Sequence, residues 1–232
     1  MAKGTLVLLR HGETDYNLQN RMTGWRDIPL NETGEEQARD AGSVISAFRF
    51  DKAYSSQLSR TFNTAALALE SAGNQDYLKT QDGEWDIERR FEVIGTNMGD
   101  FTGRNFKTDP EVVNFGRAFD KPLPGGESDK DIVERVQGFY VAEILPRMER
   151  GETVLIVGHS GTVRAFDIVM GFATPQDEKS RPDKARAPNA APMVVEFNEG
   201  NVTQRYWPGL DLPNEPLPQR TPKADVPKTA TP

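Results

Sequence analysis

Residues 6–17, LVLLRHGETDYN, run from four apolar residues straight into Arg10, His11 and a glycine. Short continuous apolar runs that end near glycine are typical of strands buried on both faces of a parallel sheet. A second run of this kind, TVLIVG at 153–158, leads into His159. These are the chain's only two histidines, and each of them follows a predicted buried strand.

Strand and helix patterns alternate outward from these two runs. A more polar strand is predicted at 51–56, helices at 31–48, 57–73 and 161–172, and a hairpin at 192–207. This alternation predicts an α/β fold, with a single doubly wound, mostly parallel sheet and helices on both faces.

Two local signals bear on where helices begin and bend. Thr33 and Glu36 have the spacing of a capping box, which predicts the start of the first long helix. A further helix is predicted from Ser128 to about Arg150. Pro146 is expected to kink that helix or to make its last turn irregular, because proline cannot donate a backbone hydrogen bond.

Composition limits the classes of function. The 232 residues carry a net charge of −7, which argues against polyanionic partners such as nucleic acid or a membrane surface. The chain has no cysteine, so disulfides and thiolate chemistry are excluded. No apolar run reaches the roughly 20 residues of a membrane span. A cytoplasmic protein with one catalytic domain, at 1–210, is therefore expected.

The end of the chain differs from the rest. Residues 211–232 contain six prolines and almost no large apolar side chain. Such a segment cannot bury enough surface to offset the entropy of ordering it, so a disordered tail is predicted. The alternative is a flexible flap over the mouth of the active site.

Ligands of open α/β sheets bind beyond the carboxyl ends of the strands, where His11 and His159 are both expected. Arg10 precedes the first histidine, and Arg60 follows the strand at 51–56. Guanidinium groups match phosphate oxygens, so these four side chains predict an anion site that contains a nucleophile. A neutral imidazole can attack phosphorus to give a phosphohistidine, while the arginines and a protonated second histidine balance the charge. No metal is required, and two histidines without a nearby cysteine or patterned carboxylate are too few ligands for zinc.

Protonation of the leaving oxygen calls for a general acid, and the segment 84–92, EWDIERRFE, offers four carboxylates. Their spacing does not choose among Glu84, Asp86, Glu88 and Glu92.

Together the motifs resemble the histidine phosphatase superfamily, in its cofactor-dependent phosphoglycerate mutase branch. The resemblance spans roughly residues 3–207 and rests on LRHGETDYN, NRMTGWRDIPLNETGEEQA (20–38), AYSSQLSRTFNTA (53–65), GES (126–128) and GHSGTVRA (158–165). It implies a metal-independent enzyme of glycolysis and gluconeogenesis that interconverts 3-phosphoglycerate and 2-phosphoglycerate. The implied priming phosphoryl donor is 2,3-bisphosphoglycerate, the substrate is small and phosphorylated, and a homo-oligomer is implied because such mutases often form dimers or larger assemblies.

The same resemblance implies roles for individual residues. His11 matches the phosphorylated nucleophile, His159 its stabilising partner and Glu88 the acid. The residues matched to phosphate or substrate contacts are Arg10, Asn17, Thr23, Gly24, Arg60, Arg89, Arg117, Ser160 and Gly161.

The chain departs from this branch at three places. Seven residues (92–98) are inserted beside the acid, which keeps Glu92 as a rival to Glu88. Only Arg117 remains of a pair of adjacent arginines, and Ser160 and Gly161 replace a Gly-Asn pair, a pattern that leans towards phosphatases. The leading hypothesis is a mutase, because of TGW at 23–25. The alternatives are a phosphatase that uses the same phosphohistidine and, from another class, a non-catalytic module that binds a phosphorylated partner.

Overall fold

The computed structural model describes residues 2–175 and 187–208, and the tail predicted at 211–232 lies outside them. Six strands form one sheet in the order β3–β2–β4–β1–β5–β6. They are β1 (Lys3–Arg10), β2 (Lys52–Ser55), β3 (Ile87–Arg89), β4 (Thr153–Gly158), β5 (Pro192–Asn198) and β6 (Asn201–Tyr206).

The helices of the described residues connect these strands. They are α1 (Asp15–Leu18), α2 (Glu32–Val44), α3 (Ser59–Ser71), α4 (Gln75–Leu78), α5 (Pro110–Val113), α6 (Asp129–Phe139), α7 (Leu145–Arg150) and α8 (Ser160–Val169). Two 3-10 turns lie at Phe91–Val93 and Gly99–Phe101, and a π-helical turn at Tyr140–Ile144 joins α6 to α7. Each of these helices is too short or too polar to span a membrane.

The predicted α/β fold is confirmed. Strands β1 to β4 run parallel, and the β5–β6 hairpin adds two antiparallel strands at the β1 edge. Alternate residues of β1 point to opposite faces: Leu6 and Leu8 pack in the core beneath α6, α7 and α8, and Val7 and Leu9 in the core beneath α2 and α3. The sheet therefore has helices on both faces, as the continuous apolar run of β1 predicts.

Three local features differ from or refine the sequence predictions. The first long helix is capped by Asn31, whose side chain accepts from the backbone N–H of Gly34, so the capping box predicted at Thr33 is wrong. Asparagine is among the strongest N-caps, and here it comes two residues earlier. The irregularity expected at Pro146 lies one turn earlier, in the π-helical turn Tyr140–Ile144, whereas the last turn, Leu145–Arg150, is regular α-helix with the proline at its start. Strand β3 was not predicted, because two of its three residues are charged.

The register of the sheet brings the two histidines together. In the β1–β4 pair Arg10 lies opposite Gly158, and the N–H of His11 continues the ladder by donating to the Gly158 carbonyl at 3.0 Å. Residues 11 and 159 therefore leave neighbouring parallel strands at the same edge.

Candidate active site

The His11 ring is held in one orientation at the end of β1. Its Nδ1 lies 2.7 Å from the carbonyl oxygen of Gly12, which can only accept, so Nδ1 carries the proton. In the neutral ring this leaves Nε2 with its lone pair. Gly12 itself is required by the close approach of α2, because a Cβ at this position would collide with the Gly34 carbonyl oxygen. The amide of Asn189 fixes the same turn by donating to the His11 carbonyl at 2.9 Å.

The His159 ring packs edge-on against His11, with ring centroids 5.2 Å apart. A chain of hydroxyl groups sets its tautomer. Thr61 Oγ1 donates to the Leu58 carbonyl at 2.8 Å, so Ser56 Oγ donates to Thr61 at 2.7 Å and accepts from His159 Nε2 at 3.0 Å. His159 Nδ1 then accepts from Arg60 at 3.3 Å.

Arg60 is the most buried charged side chain of the site, with 1% of its surface exposed. Its Nη1 and Nη2 donate to the carbonyl oxygens of Arg26 and Gly24, both at 2.9 Å, so the guanidinium is tied to the loop that carries Thr23. Burial lowers the pKa of Arg60 to about 10, which leaves it protonated at neutral pH. The site therefore keeps a fixed positive charge beside both imidazoles.

A cleft of about 360 Å³ opens above these groups. The predicted residues that line it are Arg10, His11, Asn17, Thr23, Gly24, Arg60, Arg117, His159, Ser160 and Gly161. Ser160 and Gly161 form the first turn of α8, whose N-terminus faces the cleft and favours an anion. At the mouth, Asp129 holds Arg117 at 2.8 Å and Arg164 at 3.7 Å.

Both imidazoles are neutral in this environment. Burial, followed by the charges of Arg60 and Arg10, holds the pKa of His11 well below its usual value. Burial and Arg60 lower the pKa of His159 in the same way. The protonated second histidine expected from the sequence is therefore not the form found without an anion, because nearby positive charge disfavours it. The arrangement is an electropositive cleft with an unprotonated nitrogen, suited to attack on a phosphoryl group.

Comparison with known proteins agrees with this chemistry. Residues 6–208 match the model of the histidine phosphatase superfamily, branch 1. The chain belongs to this superfamily. It is 41% identical over 171 residues to a 2,3-bisphosphoglycerate-dependent phosphoglycerate mutase of Methylobacterium sp. (strain 4-46), covering 73% of this chain and 81% of the relative. A protein of the same description from Parvibaculum lavamentivorans is 39% identical over 207 residues, covering 86% and 94%.

Solved structures of phosphatases are also similar. A mycobacterial glucosyl-3-phosphoglycerate phosphatase in complex with VO3 superposes with a TM-score of 0.66 at 26% identity, covering 83% of this chain and 92% of that one. Membership of the superfamily therefore makes the chain an enzyme of the histidine phosphatase type and leaves its acceptor, alcohol or water, to be argued from the site.

Three residues from the β3 region do not reach the cleft. The Glu88 carboxylate accepts from Arg90 Nη1 at 2.8 Å and pairs with Lys52 Nζ at 3.1 Å. Glu92 pairs with Arg90 at 3.6 Å, and Arg89 donates to the Gln57 carbonyl at 3.0 Å. Burial alone raises the pKa of Glu88, but the ion pairs with Lys52 and Arg90 outweigh it and hold the pKa below its usual value. The structure therefore does not place the matched acid, Glu88, or its rival, Glu92, beside the histidines.

The cleft also contains residues that the sequence analysis did not select. Arg21 and Arg164 lie inside quoted motifs, so their proximity to matched residues was a usable signal. Asn189 comes from a remote loop before β5, and no local pattern marks it. Glu13 follows Gly12 directly and lines the cleft as well. Within residues 2–175 and 187–208, no three histidine or carboxylate side chains form a metal-binding group.

Proposed function

We propose that the chain is a phosphatase that forms a phosphohistidine at His11 and passes the phosphoryl group to water. The observation that carries the phosphohistidine step is the hydrogen bond from His11 Nδ1 to the Gly12 carbonyl. It directs the lone pair of Nε2, in a ring kept neutral by burial and by two arginines, towards an anion site. The substrate is a small phosphorylated molecule, since the cleft measures about 360 Å³.

The first step forms the bond from His11 Nε2 to phosphorus and breaks the bond from phosphorus to the leaving oxygen, which takes the electron pair. Arg10 and Arg60 balance the charge on the phosphoryl oxygens as it passes between donor and nitrogen. A bound phosphoryl dianion also raises the pKa of His159 by opposite charge, so that this ring can take a proton at Nδ1 and donate to it.

In the second step, water attacks phosphorus, the phosphorus–nitrogen bond breaks, and its electron pair returns to Nε2. One proton of the water leaves to solvent or to the departing phosphate. Because phosphoryl transfer is loose, the incoming water needs little deprotonation in the transition state. Water can therefore act as acceptor without a carboxylate base at the site.

A mutase places a heavier demand on the cleft. It must expel the alkoxide of a phosphoglycerate, a poor leaving group, and protonation of this oxygen calls for an acid beside phosphorus. Glu88 is engaged by Lys52 and Arg90 instead. This placement supports water as the acceptor.

A phosphoglycerate mutase of glycolysis and gluconeogenesis is the second candidate, favoured by the description of the curated relatives at 31–42% identity. Thr23, Gly24 and Arg117, which the resemblance assigns to substrate binding, line the cleft. Cationic groups at its base and mouth fit the two phosphates of 2,3-bisphosphoglycerate, which when bound supplies the priming phosphoryl group. Arg10 and Arg60 would hold one phosphate and Arg117 and Arg164 the other.

One experiment separates the candidates. The protein is incubated with p-nitrophenyl phosphate, and separately with 3-phosphoglycerate plus catalytic 2,3-bisphosphoglycerate. Release of inorganic phosphate from the first and little 2-phosphoglycerate from the second is expected. Formation of 2-phosphoglycerate faster than any phosphate release would establish the mutase, and failure to label His11 with either donor would refute both.

A further inference from the structure

We propose that this cleft selects phosphates with an acidic leaving group, such as acyl, aryl and enol phosphates, and acts poorly on phosphates of ordinary alcohols. The inference rests on the proposed phosphohistidine step and concerns the fate of the leaving oxygen. It follows from three observations. Glu88 and Glu92 lie outside the cleft, the residue that packs beside His159 is a glycine, and the described residues that line the cleft include a single carboxylate.

Glu88 is fixed as an anion on another part of the molecule. Its oxygens are 2.8 Å from Arg90 and 3.1 Å from Lys52, and Lys52 in turn lies over the Tyr54 ring, 5.7 Å from its centroid. Tyr54 belongs to the core beneath α6 and α8. An ion-paired carboxylate with a lowered pKa is a poor proton donor, and Glu88 does not line the cleft above His11.

The position beside His159 is occupied by a residue without a side chain. The Gly95 carbonyl accepts from Trp25 Nε1 at 2.8 Å, which ties this segment to the TGW loop. A Cβ on Gly95 would lie 2.9 Å from His159 Cβ and 3.0 Å from its Cγ. The close approach leaves no room for an acidic side chain here, and the next residue, Thr96, is neutral and buried.

Among the described residues that line the cleft, Glu13 is the one carboxylate. Its Oε1 accepts from Asn31 Nδ2 at 3.0 Å. The amide of Asn31 cannot turn over, because its oxygen accepts from the Gly34 N–H at 2.8 Å. The Glu13 carboxylate is thus tied to the N-terminus of α2 by a donor that cannot rotate away. Its geometry directs it towards Asn31 and not towards a leaving oxygen above His11.

Among the described residues no carboxylic acid is placed to protonate the leaving oxygen, and the proton of His159 is held by the phosphoryl oxygens. The leaving oxygen must therefore carry its own negative charge. The bond from Nε2 to phosphorus forms, the bond to the leaving oxygen breaks, and a carboxylate, aryloxide or enolate departs with the electron pair. General acids contribute about 10²–10⁴-fold to such steps. An alkyl phosphate should therefore react at least about a hundredfold more slowly than an acidic ester of similar size.

The test is a leaving-group series on the full chain. The ratio kcat/KM is measured for acetyl phosphate, p-nitrophenyl phosphate, phenyl phosphate and glycerol 3-phosphate, and phosphohistidine formation is followed with a labelled donor. A steep fall from acetyl phosphate to glycerol 3-phosphate is expected. A flat series, with glycerol 3-phosphate as good as the aryl esters, would overturn the inference while leaving the phosphohistidine intact. Absence of label on His11 with every donor would instead refute the proposed function.

Two variants locate any proton donor that the structure does not reveal. Glu88→Gln should leave unchanged both the rates and the slope of the series, that is, the fall in kcat/KM from the acidic esters to the alkyl ester. Glu13→Gln should leave the slope unchanged, whatever it does to the rate. A variant that lowers the rates of the alkyl ester selectively, so that the slope becomes steeper, would identify its residue as the acid and contradict the proposal.

Discussion

The carboxyl ends of β1 and β4 and the carboxyl end of β3 lie at the same edge of a parallel sheet, yet they present opposite environments. At the first pair, His11 and His159 are buried beside arginines and kept neutral. At β3, Glu88 is partly exposed, ion-paired and kept charged. A position at this edge of the sheet is therefore not enough to make a titratable side chain reactive. The partners that the surrounding elements supply decide whether a titratable side chain can react.

The largest contrast should come from removing one titratable group at each place. His11→Ala removes the nucleophile, and we expect phosphatase activity to fall by about 10⁴–10⁶-fold. Glu88→Gln, the matched change at β3, should alter activity by less than about threefold, since an ion pair this exposed contributes little. Steady-state rates of both variants test this, with circular dichroism as the control for folding. Comparable losses of activity in the two variants would contradict the proposed difference between the two regions.

Two arginine variants, one in the cleft and one outside it, test the same comparison. Arg60→Lys keeps a positive charge but cannot bridge the Gly24 and Arg26 carbonyls and also face His159. A loss of about a hundredfold in kcat/KM is expected, as for one missing donor to a transferring group. Arg89→Lys, outside the cleft, is the control and should be silent. If Arg60→Lys retained full activity, the forked geometry would be irrelevant to the site.

A smaller effect is expected from the hydroxyl chain behind His159. Ser56→Ala removes the acceptor of His159 Nε2 and frees the ring. We expect kcat to fall about tenfold, close to the worth of one buried hydrogen bond. The acid limb of the pH profile should move as well, a change that a merely structural role would not produce. Ser59→Ala, whose hydroxyl bonds the exposed Asp27, serves as the control and should match the unchanged chain in both readouts.

The same two regions show what local sequence can predict. Strands β1 and β4 are continuous apolar runs, so their burial, their pairing and the meeting of His11 with His159 were all accessible. Strand β3 is short and charged. The segment between Glu88 and Gly99 is long enough in sequence to be placed against the sheet in several ways. Which carboxylate faces the cleft then depends on Lys52 and Arg90, contacts that no local motif encodes. Asn189 likewise enters from a loop remote in sequence.

The two regions should lose their contributions to the stability of the fold over different ranges of pH. A buried histidine whose pKa is lowered binds fewer protons folded than unfolded, so its contribution is full above pH 6.5 and is lost as the pH falls below that value. Glu88, whose pKa is also lowered, stabilises the fold above about pH 4.5 and loses this effect only below it. The histidines therefore act in the window from pH 7.5 to 5.5, and the β3 carboxylate does not.

Across that window the free energy of unfolding should fall by roughly 1 kcal/mol for each histidine, because the unfolded chain takes up protons that the folded site excludes. Urea unfolding in phosphate-free buffer measures the change, since bound phosphate would raise both imidazole pKa values. His11→Asn should remove about half of the pH dependence, and Glu88→Gln should remove none of it. A stability that stays level from pH 7.5 to 5.5 would mean that the imidazoles are protonated in the folded protein, and with that the neutral nucleophile at the end of β1 would be lost.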